Sequence, residues 1–270
     1  MPEAPPIILT IAGFDPSSGA GVTADIKTIA AHGCYGISAI TAMTVQSTAG
    51  VRRVAPTDPQ VLADTLDELL RNGKVSAVHI GMLGSGEVAS RVADFLEGAS
   101  LRNVVLDPIL KSSSGAVLLD QVGVGIIKQR LLRLADVVTP NIEEAAVLTG
   151  LNVRDPSEMK LAADHLHGMG SRAVVITGGH LKQAVDVLSV KRGEVQTFRA
   201  DRVDSQNTHG TGCAFSTAVA CQLALGQSLP MAVLLAKAYV LATIKNSYSI
   251  GRGTGPVNHM YRIDESLNKQ

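Results

Sequence analysis

Short apolar runs alternate with longer helical ones along almost the whole chain. Ile7–Ala12 is continuously apolar up to Gly13 and predicts a buried first strand. Gly21–His32 has helical spacing and stops at Gly33, which predicts a helix closed by a glycine C-cap. Further strands are predicted at Ile37–Val45, Ala77–Ile80, Val104–Leu106, Val137–Val138 and Ala173–Thr177. Helices are predicted at Pro59–Leu70, Val88–Leu96, Ser157–Leu166, Gly212–Leu225 and Pro230–Asn246. Val185–Val190 and Val195–Arg199 flank Arg192-Gly193 and read as a hairpin near a sheet edge.

Strand, loop and helix in repetition define an α/β protein with a three-layer, doubly wound, mostly parallel sheet. Composition strengthens this reading. Only 3% of residues are aromatic while 46% are hydrophobic, so Ala, Val, Ile and Leu must build the core. Such a core suits parallel strands covered by helices on both faces. No linker or repeat interrupts residues 1–270, which predicts one domain. Net charge is +0, so nothing marks a nucleic-acid partner or an anionic membrane surface. No apolar run approaches the roughly 18 residues of a membrane span. Met1–Pro6 lacks the pattern of a secretory signal. Cys34, Cys213 and Cys221 form no disulfide framework and no zinc spacing, which suits a reducing cytoplasm.

In a sheet of this kind ligands bind outside the carboxyl ends of the strands. Those ends carry Gly13-Phe14-Asp15, Gln46, Gly81-Met82, Asp107, Asn141 and Gly178-Gly179. Asn207-Thr208-His209-Gly210-Thr211-Gly212-Cys213 leads directly into a helix. Glycine allows close backbone approach, and the free first-turn N–H groups attract an anion. This points to phosphoryl transfer; the alternative is a Gly-rich turn capping a buried helix. At a helix N-terminus the Cys213 thiol is expected to shift toward thiolate and to act as a base or as a nucleophile. Asp15-Pro16-Ser17-Ser18-Gly19-Ala20-Gly21 matches neither a dinucleotide fingerprint nor a Walker A loop. It reads either as a cap on the next helix, through Asp15 or Ser17, or as a substrate loop. Asn141 and Glu144 lie at i and i+3. They suit a hydrated Mg²⁺, or simply a capping box. Gln46 is placed to read a heterocycle edge and Met82 to line its face, although both also suit ordinary packing.

Taken in order, these segments resemble the hydroxymethylpyrimidine and phosphomethylpyrimidine kinases of the ribokinase-like superfamily. The likeness rests on Gly13, Asp15-Pro16-Ser17, Gly19-Ala20-Gly21, Ala24-Asp25-Ile26-Lys27-Thr28, Gln46 and Ile80-Gly81-Met82-Leu83. It continues through Asp107-Pro108, Ser114-Gly115, Thr139-Pro140-Asn141, Glu144-Ala145, Gly178-Gly179-His180, residues 207–213 and Gly255-Pro256-Val257. The resemblance implies ATP- and Mg²⁺-dependent phosphorylation of 4-amino-5-hydroxymethyl-2-methylpyrimidine and its monophosphate in thiamine diphosphate biosynthesis. It implies that Cys213 is the base and that Gly210, Thr211 and Gly212 form an anion hole. Gly13, Asp15, Gln46 and Met82 then line the pyrimidine pocket. Asp107, Asn141, Glu144, Thr177 and His209 fall to the nucleotide, with Asp107 and Glu144 toward the metal. A homodimer is implied as well.

The chain departs from the family pattern in three places. Thr177 stands where a Lys precedes Gly-Gly-His, Phe14 where Ser is commoner, and Ser113 where Lys is frequent. The missing Lys keeps two alternatives open: a pyridoxal, pyridoxine or pyridoxamine kinase, and a ligand-binding regulator with weakened catalysis.

Overall fold

The computed structural model describes residues 3–71, 73–179, 181 and 183–263. Among them nine strands form one sheet in the order β3-β2-β1-β4-β5-β6-β7-β8-β9. The parallel centre comprises β1 (Ile7–Phe14), β2 (Tyr35–Ser47), β4 (Val75–Ile80), β5 (Val104–Leu106), β6 (Val137–Val138) and β7 (Ala173–Gly178). Three antiparallel strands complete the edges: β3 (Gly50–Pro56) on one side, β8 (Ala184–Val190) and β9 (Val195–Ala200) on the other. The hairpin predicted around Arg192-Gly193 is therefore present, and it lies at an edge.

Successive strand residues face opposite helical layers, which is why continuous apolar runs were needed. Leu9 and Ile11 pack into one core with Val78, Ile80, Leu106 and Ile176. Ile8, Ala77, Val105 and Val175 turn the other way, toward Phe215, Ala218 and Tyr239. The first layer holds α2 (Pro59–Arg71), α3 (Gly86–Gly98), α6 (Ile142–Thr149) and α7 (Pro156–Gly168). The second holds α1 (Gly21–Ala31), α8 (Thr211–Ala224) and α9 (Leu229–Lys245).

Two elements were not anticipated. Strand β3 carries Arg52 and Arg53 exposed on a sheet edge, so it lacks an apolar signature. The segment α4 (Gln121–Ile126), a π turn (Ile127–Leu131) and α5 (Leu132–Leu134) contains Gly123 and Gly125, which weaken its helical signal. Gly123 is required there, because a Cβ would sit 2.3 Å from the Leu119 side chain.

Strand order reverses between β1 and β4, since β2 lies on one side of β1 and β4 on the other. The crevice at such a switch point is where a doubly wound sheet binds its ligand. The carboxyl ends of β1 and β4 deliver Gly13-Phe14-Asp15 and Gly81-Met82 to that crevice.

Candidate active site

The loop after β1 is organised by Asp15. Its carboxylate accepts from Ser17 N (2.8 Å), Ser17 Oγ (2.7 Å) and Ala20 N (2.9 Å). The expected helix cap through Asp15 or Ser17 is not what forms. Ala20 is the N-cap of α1 and no side chain caps that helix. The carboxylate instead closes the loop on itself and holds His209, whose Nε2 lies 2.9 Å from Asp15 Oδ2. Burial alone would raise the Asp15 pKa, but hydrogen bonds from His209 and Ser17 hold it below the ordinary carboxylate value. Asp15→Asn is expected to lose about 1–3 kcal/mol of stability in denaturant titration, since one carbonyl oxygen replaces two anionic acceptors. The wild-type advantage should disappear as pH falls through and below the usual carboxylate range, where the native carboxylate is finally protonated.

His209 was expected on the nucleotide side. The structure places its ring against the substrate loop instead: Asp15 at 2.9 Å, Gln46 Nε2 at 3.3 Å and Ser113 Oγ at 3.4 Å. Asp15 takes the Nε2 proton, so the Gln46 amide donors remain available to the cleft. The Gln46 Oε1 accepts from Thr44 Oγ1 at 3.2 Å, and the same hydroxyl reaches Phe14 O at 2.9 Å. Met82 packs under Gly13, where a Cβ would meet its sulfur at 2.8 Å. Gly13, Asp15, Gln46, Met82 and His209 are thus brought together. A small cavity lined by Gln46, Ser113, His209 and Thr254 adjoins them.

The phosphate-side group assembles on α8. Gly210 is its N-cap with φ 87°, and no side chain caps the helix. A Cβ on Gly210 would overlap Gly19 O, so glycine lets this turn lie directly on the β1–α1 loop. Above Gly212 the space is open; a Cβ there would meet only Asp107 Oδ2, at 3.8 Å. A helix start without a side-chain cap, facing unfilled space, fits a phosphoryl group. Asp107, opposite it, fits a cation between carboxylate and phosphate.

Asn141 and Glu144 form the capping box of α6. Asn141 Oδ1 accepts from Glu144 N and Glu144 Oε2 accepts from Asn141 N, each at 2.9 Å. The structural reading of this pair is therefore realised. Electrostatics add a second one. Burial, then the Asp107 charge, push Glu144 up to about 8, and burial raises Asp107 to about 6. Two such carboxylates are a place for a cation. Among the described residues no cluster of three or more His, Cys, Asp or Glu side chains could hold a metal. Magnesium, which keeps several waters and binds through phosphates, needs no such cage. Thr177 lies alongside, bridged to Asn141 and donating its N–H to Pro140 O at 2.9 Å. Its cross-strand partner Asp186 holds Lys237 at 2.7 Å. His180 lies outside the described residues.

Cys213 occupies the first turn of α8 and is buried. The shift runs opposite to the expected thiolate. Burial dominates, and Asp25, Asp107 and Glu144 add negative potential, so the thiol is raised well above its ordinary value. Cys34 and Cys221 are buried packing residues, as their apolar surroundings suggested.

The sequence profile of the family described as phosphomethylpyrimidine kinase matches residues 15–258. The chain is 42% identical over 260 residues to the thiamine biosynthesis bifunctional protein ThiED of Geobacter sulfurreducens. That match covers 96% of this chain and 53% of the relative, so the chain spans about half the length of the bifunctional protein. It is 41% identical over 265 residues to the hydroxymethylpyrimidine/phosphomethylpyrimidine kinase of Streptomyces coelicolor, covering 98% of each. Among solved structures, the pyridoxal kinase from Staphylococcus aureus in complex with AMP-PCP and pyridoxal superposes with a TM-score of 0.87 at 32% identity, covering 96% and 94% of the two chains. The phosphomethylpyrimidine kinase from Clostridium difficile gives 0.79 at 34%, covering 88% and 99%. Matched by that profile over most of its length and 41% identical to a kinase of the family over 98% of both chains, the chain belongs to the phosphomethylpyrimidine kinase family of phosphotransferases.

Proposed function

We propose that the protein phosphorylates hydroxymethylpyrimidine and its monophosphate with ATP and Mg²⁺, as a single domain. The observation that carries this is the facing of two half-sites across the Gly19–Gly210 contact. One is a polar pocket that reads a ring, and the other is a helix start open to a phosphoryl group. ATP supplies the phosphoryl group, and Mg²⁺ compensates its charge. Gln46 reads the ring edge with its unspent amide donors, while Met82 lines the ring face. Asp15 and His209 hold the substrate loop in register with the helix. The first-turn N–H groups of Gly212 and Cys213 orient the phosphoryl oxygens, so that positioning and charge stabilisation carry the rate. Asp107 and Glu144 hold the cation, and the Asn141 side chain fixes the start of the helix that carries Glu144.

Cys213 accepts the hydroxymethyl proton. Because the free protein favours the thiol, Cys213 must first release its own proton to solvent as the site loads and cations offset the three carboxylates, and the resulting thiolate is the base. Thr177 takes the place of the family's Lys as a neutral nucleotide contact. The identity to curated pyrimidine kinases favours a pyrimidine over pyridoxal, while the superposition on pyridoxal kinases keeps that ring as the second substrate to test. No helix among the described residues is long and apolar enough to cross a membrane, and the free, buried Cys34, Cys213 and Cys221 suit a reducing cytoplasm. We also propose a homodimer, on the family resemblance alone.

Turnover with MgATP should be measured on hydroxymethylpyrimidine, its monophosphate and pyridoxal, with products resolved by mass. Diphosphate from the monophosphate is the expected result. Turnover of pyridoxal alone would move the assignment to that vitamin, and binding without turnover would favour a regulator.

A further inference from the structure

Beneath the phosphate side lies a buried polar chain whose Asp25, His79 and Ser216 have no part in the reaction proposed above. Asp25 on α1, His79 on β4 and Ser216 on α8 are each 0% exposed. Asp25 Oδ2 accepts from Thr10 Oγ1 at 2.6 Å and Asp25 Oδ1 from Thr217 Oγ1 at 2.9 Å. His79 Nδ1 lies 3.2 Å from Asp25 Oδ2 and 3.3 Å from Thr10 Oγ1. On the other side of the ring, Nε2 lies 2.9 Å from Ser216 Oγ. That hydroxyl reaches Asp107 Oδ2 at 3.2 Å, and also Gly212 O at 3.1 Å and Cys213 O at 3.2 Å.

Counting protons along this chain constrains the ring. Thr10 spends its one proton on Asp25, so its oxygen can only accept from Nδ1. Asp25 is likewise an acceptor, and Nδ1 must therefore carry a hydrogen. Ser216 also has a single proton. If Nε2 were bare, it would draw that proton and leave Asp107 facing an oxygen lone pair. If Nε2 carries a hydrogen, Ser216 accepts from it and is free to donate to Asp107. With Asp107 ionised, the doubly protonated ring is the state that leaves Ser216 free to donate to it; a neutral ring would require Asp107 to carry the proton instead.

We propose that His79 is a buried imidazolium that positions Asp107 through Ser216, linking the core between α1 and α8 to the phosphate side of the active site. It is a positioning residue, since it reaches neither substrate nor nucleotide. The inference rests on the placement of Asp107 at the phosphate side argued above. The charge has a second consequence: it places one cation between two buried carboxylates that would otherwise repel each other. Burial opposes a charge on the ring, but Asp25 and Asp107 outweigh it and hold His79 above its ordinary value. Those two are the carboxylates whose charge reaches the ring. Cys213 on α8 is the further ionisable group within reach of both.

The test has two arms. The first is a histidine side-chain ¹⁵N spectrum of the intact, ligand-free protein at neutral pH, with His79 assigned by comparison with His79→Gln. Both ring nitrogens of His79 should show protonated, imidazolium-type shifts; a bare Nε2 overturns the proposal. The second is kinetic. His79→Gln and Ser216→Ala should each lower kcat/KM for MgATP by about 10-fold, the scale of one hydrogen bond to a charged group. The KM for the pyrimidine should stay within twofold. The double variant should be no worse than the poorer single one, because both act through the same contact. Additive losses, or equal effects on both substrates, would show a merely structural role. Absence of pyrimidine turnover in the wild type would remove the kinase reading while leaving the spectrum to decide the charge of His79.

Discussion

Cys213→Ala is expected to lower kcat by about 10²–10⁴-fold, the usual contribution of a positioned general base, while the dissociation constant for the pyrimidine stays within about twofold. The separation follows from geometry. In the proposed site the ring is held by Gln46, Met82 and the Asp15–His209 loop, whose contacts do not involve the thiol. The helix N-terminus proposed to receive the phosphoryl group would act through backbone N–H groups, which Ala supplies equally well. Ala also suits a first helical turn, so the variant should fold. Kinetics on the variant and calorimetric binding of hydroxymethylpyrimidine check both halves. Near-normal turnover would remove Cys213 from the chemistry. Weakened binding without a change in kcat would make it a pocket wall.

The electrostatics sharpen that prediction. A thiol held high by burial and by Asp25, Asp107 and Glu144 is a poor nucleophile in the free enzyme. It should therefore not accumulate as a reactive thiolate before the site is loaded. Two of those three carboxylates, Asp107 and Glu144, are also the pair proposed to hold the cation.

Most of the scaffold was legible because its signal is local. The apolar runs at Ile7–Ala12 and Ala173–Thr177 needed no partner to be recognised as strands, and both extend by only one or two residues. The anion-binding turn was legible because glycine and helix onset are adjacent in sequence. The place of His209 was not. It depends on a contact with Asp15 across 194 positions. The same holds for the chain from Asp25 through His79 to Ser216, where one link spans 137 positions. One local clue existed. Asp25 falls on the buried face of α1 with Val22 and Ile29, and a carboxylate among apolar helical positions must find a partner. The Cys213 expectation failed for a related reason. The helix terminus is visible in sequence, whereas the three carboxylates converge on the sulfur only once the sheet is assembled.

Glu144→Gln should separate stability from function in opposite directions. Glu144 is buried, and its carboxyl is raised from the ordinary 4.5 to about 8 by burial and by Asp107. The native state therefore binds its proton more tightly than the unfolded chain does. The stability this provides is fully present below about pH 4.5 and is lost as pH rises through about 8. Gln has no proton to lose. It keeps an oxygen to accept from Asn141 N, so the capping box survives. The ligand-free variant should therefore match the wild type near pH 5 and exceed it above pH 8, by at most about 5 kcal/mol. Thermal or denaturant unfolding across that range measures the gap. Activity should move the other way. An amide oxygen carries no net charge toward a cation, and kcat/KM for MgATP should fall by about 10²-fold, the upper end of what losing one charged contact costs. Nucleotide with Mg²⁺ should also stabilise the wild type more than the variant at pH 8, because a bound cation favours the ionised carboxyl. A variant that is less stable than the wild type at every pH would mean that Glu144 serves mainly as the cap of α6. A variant that is stabilised yet fully active would place the cation elsewhere. Gain in stability together with loss of turnover is the signature of a carboxylate kept buried, at a cost to the fold, for the ion it holds.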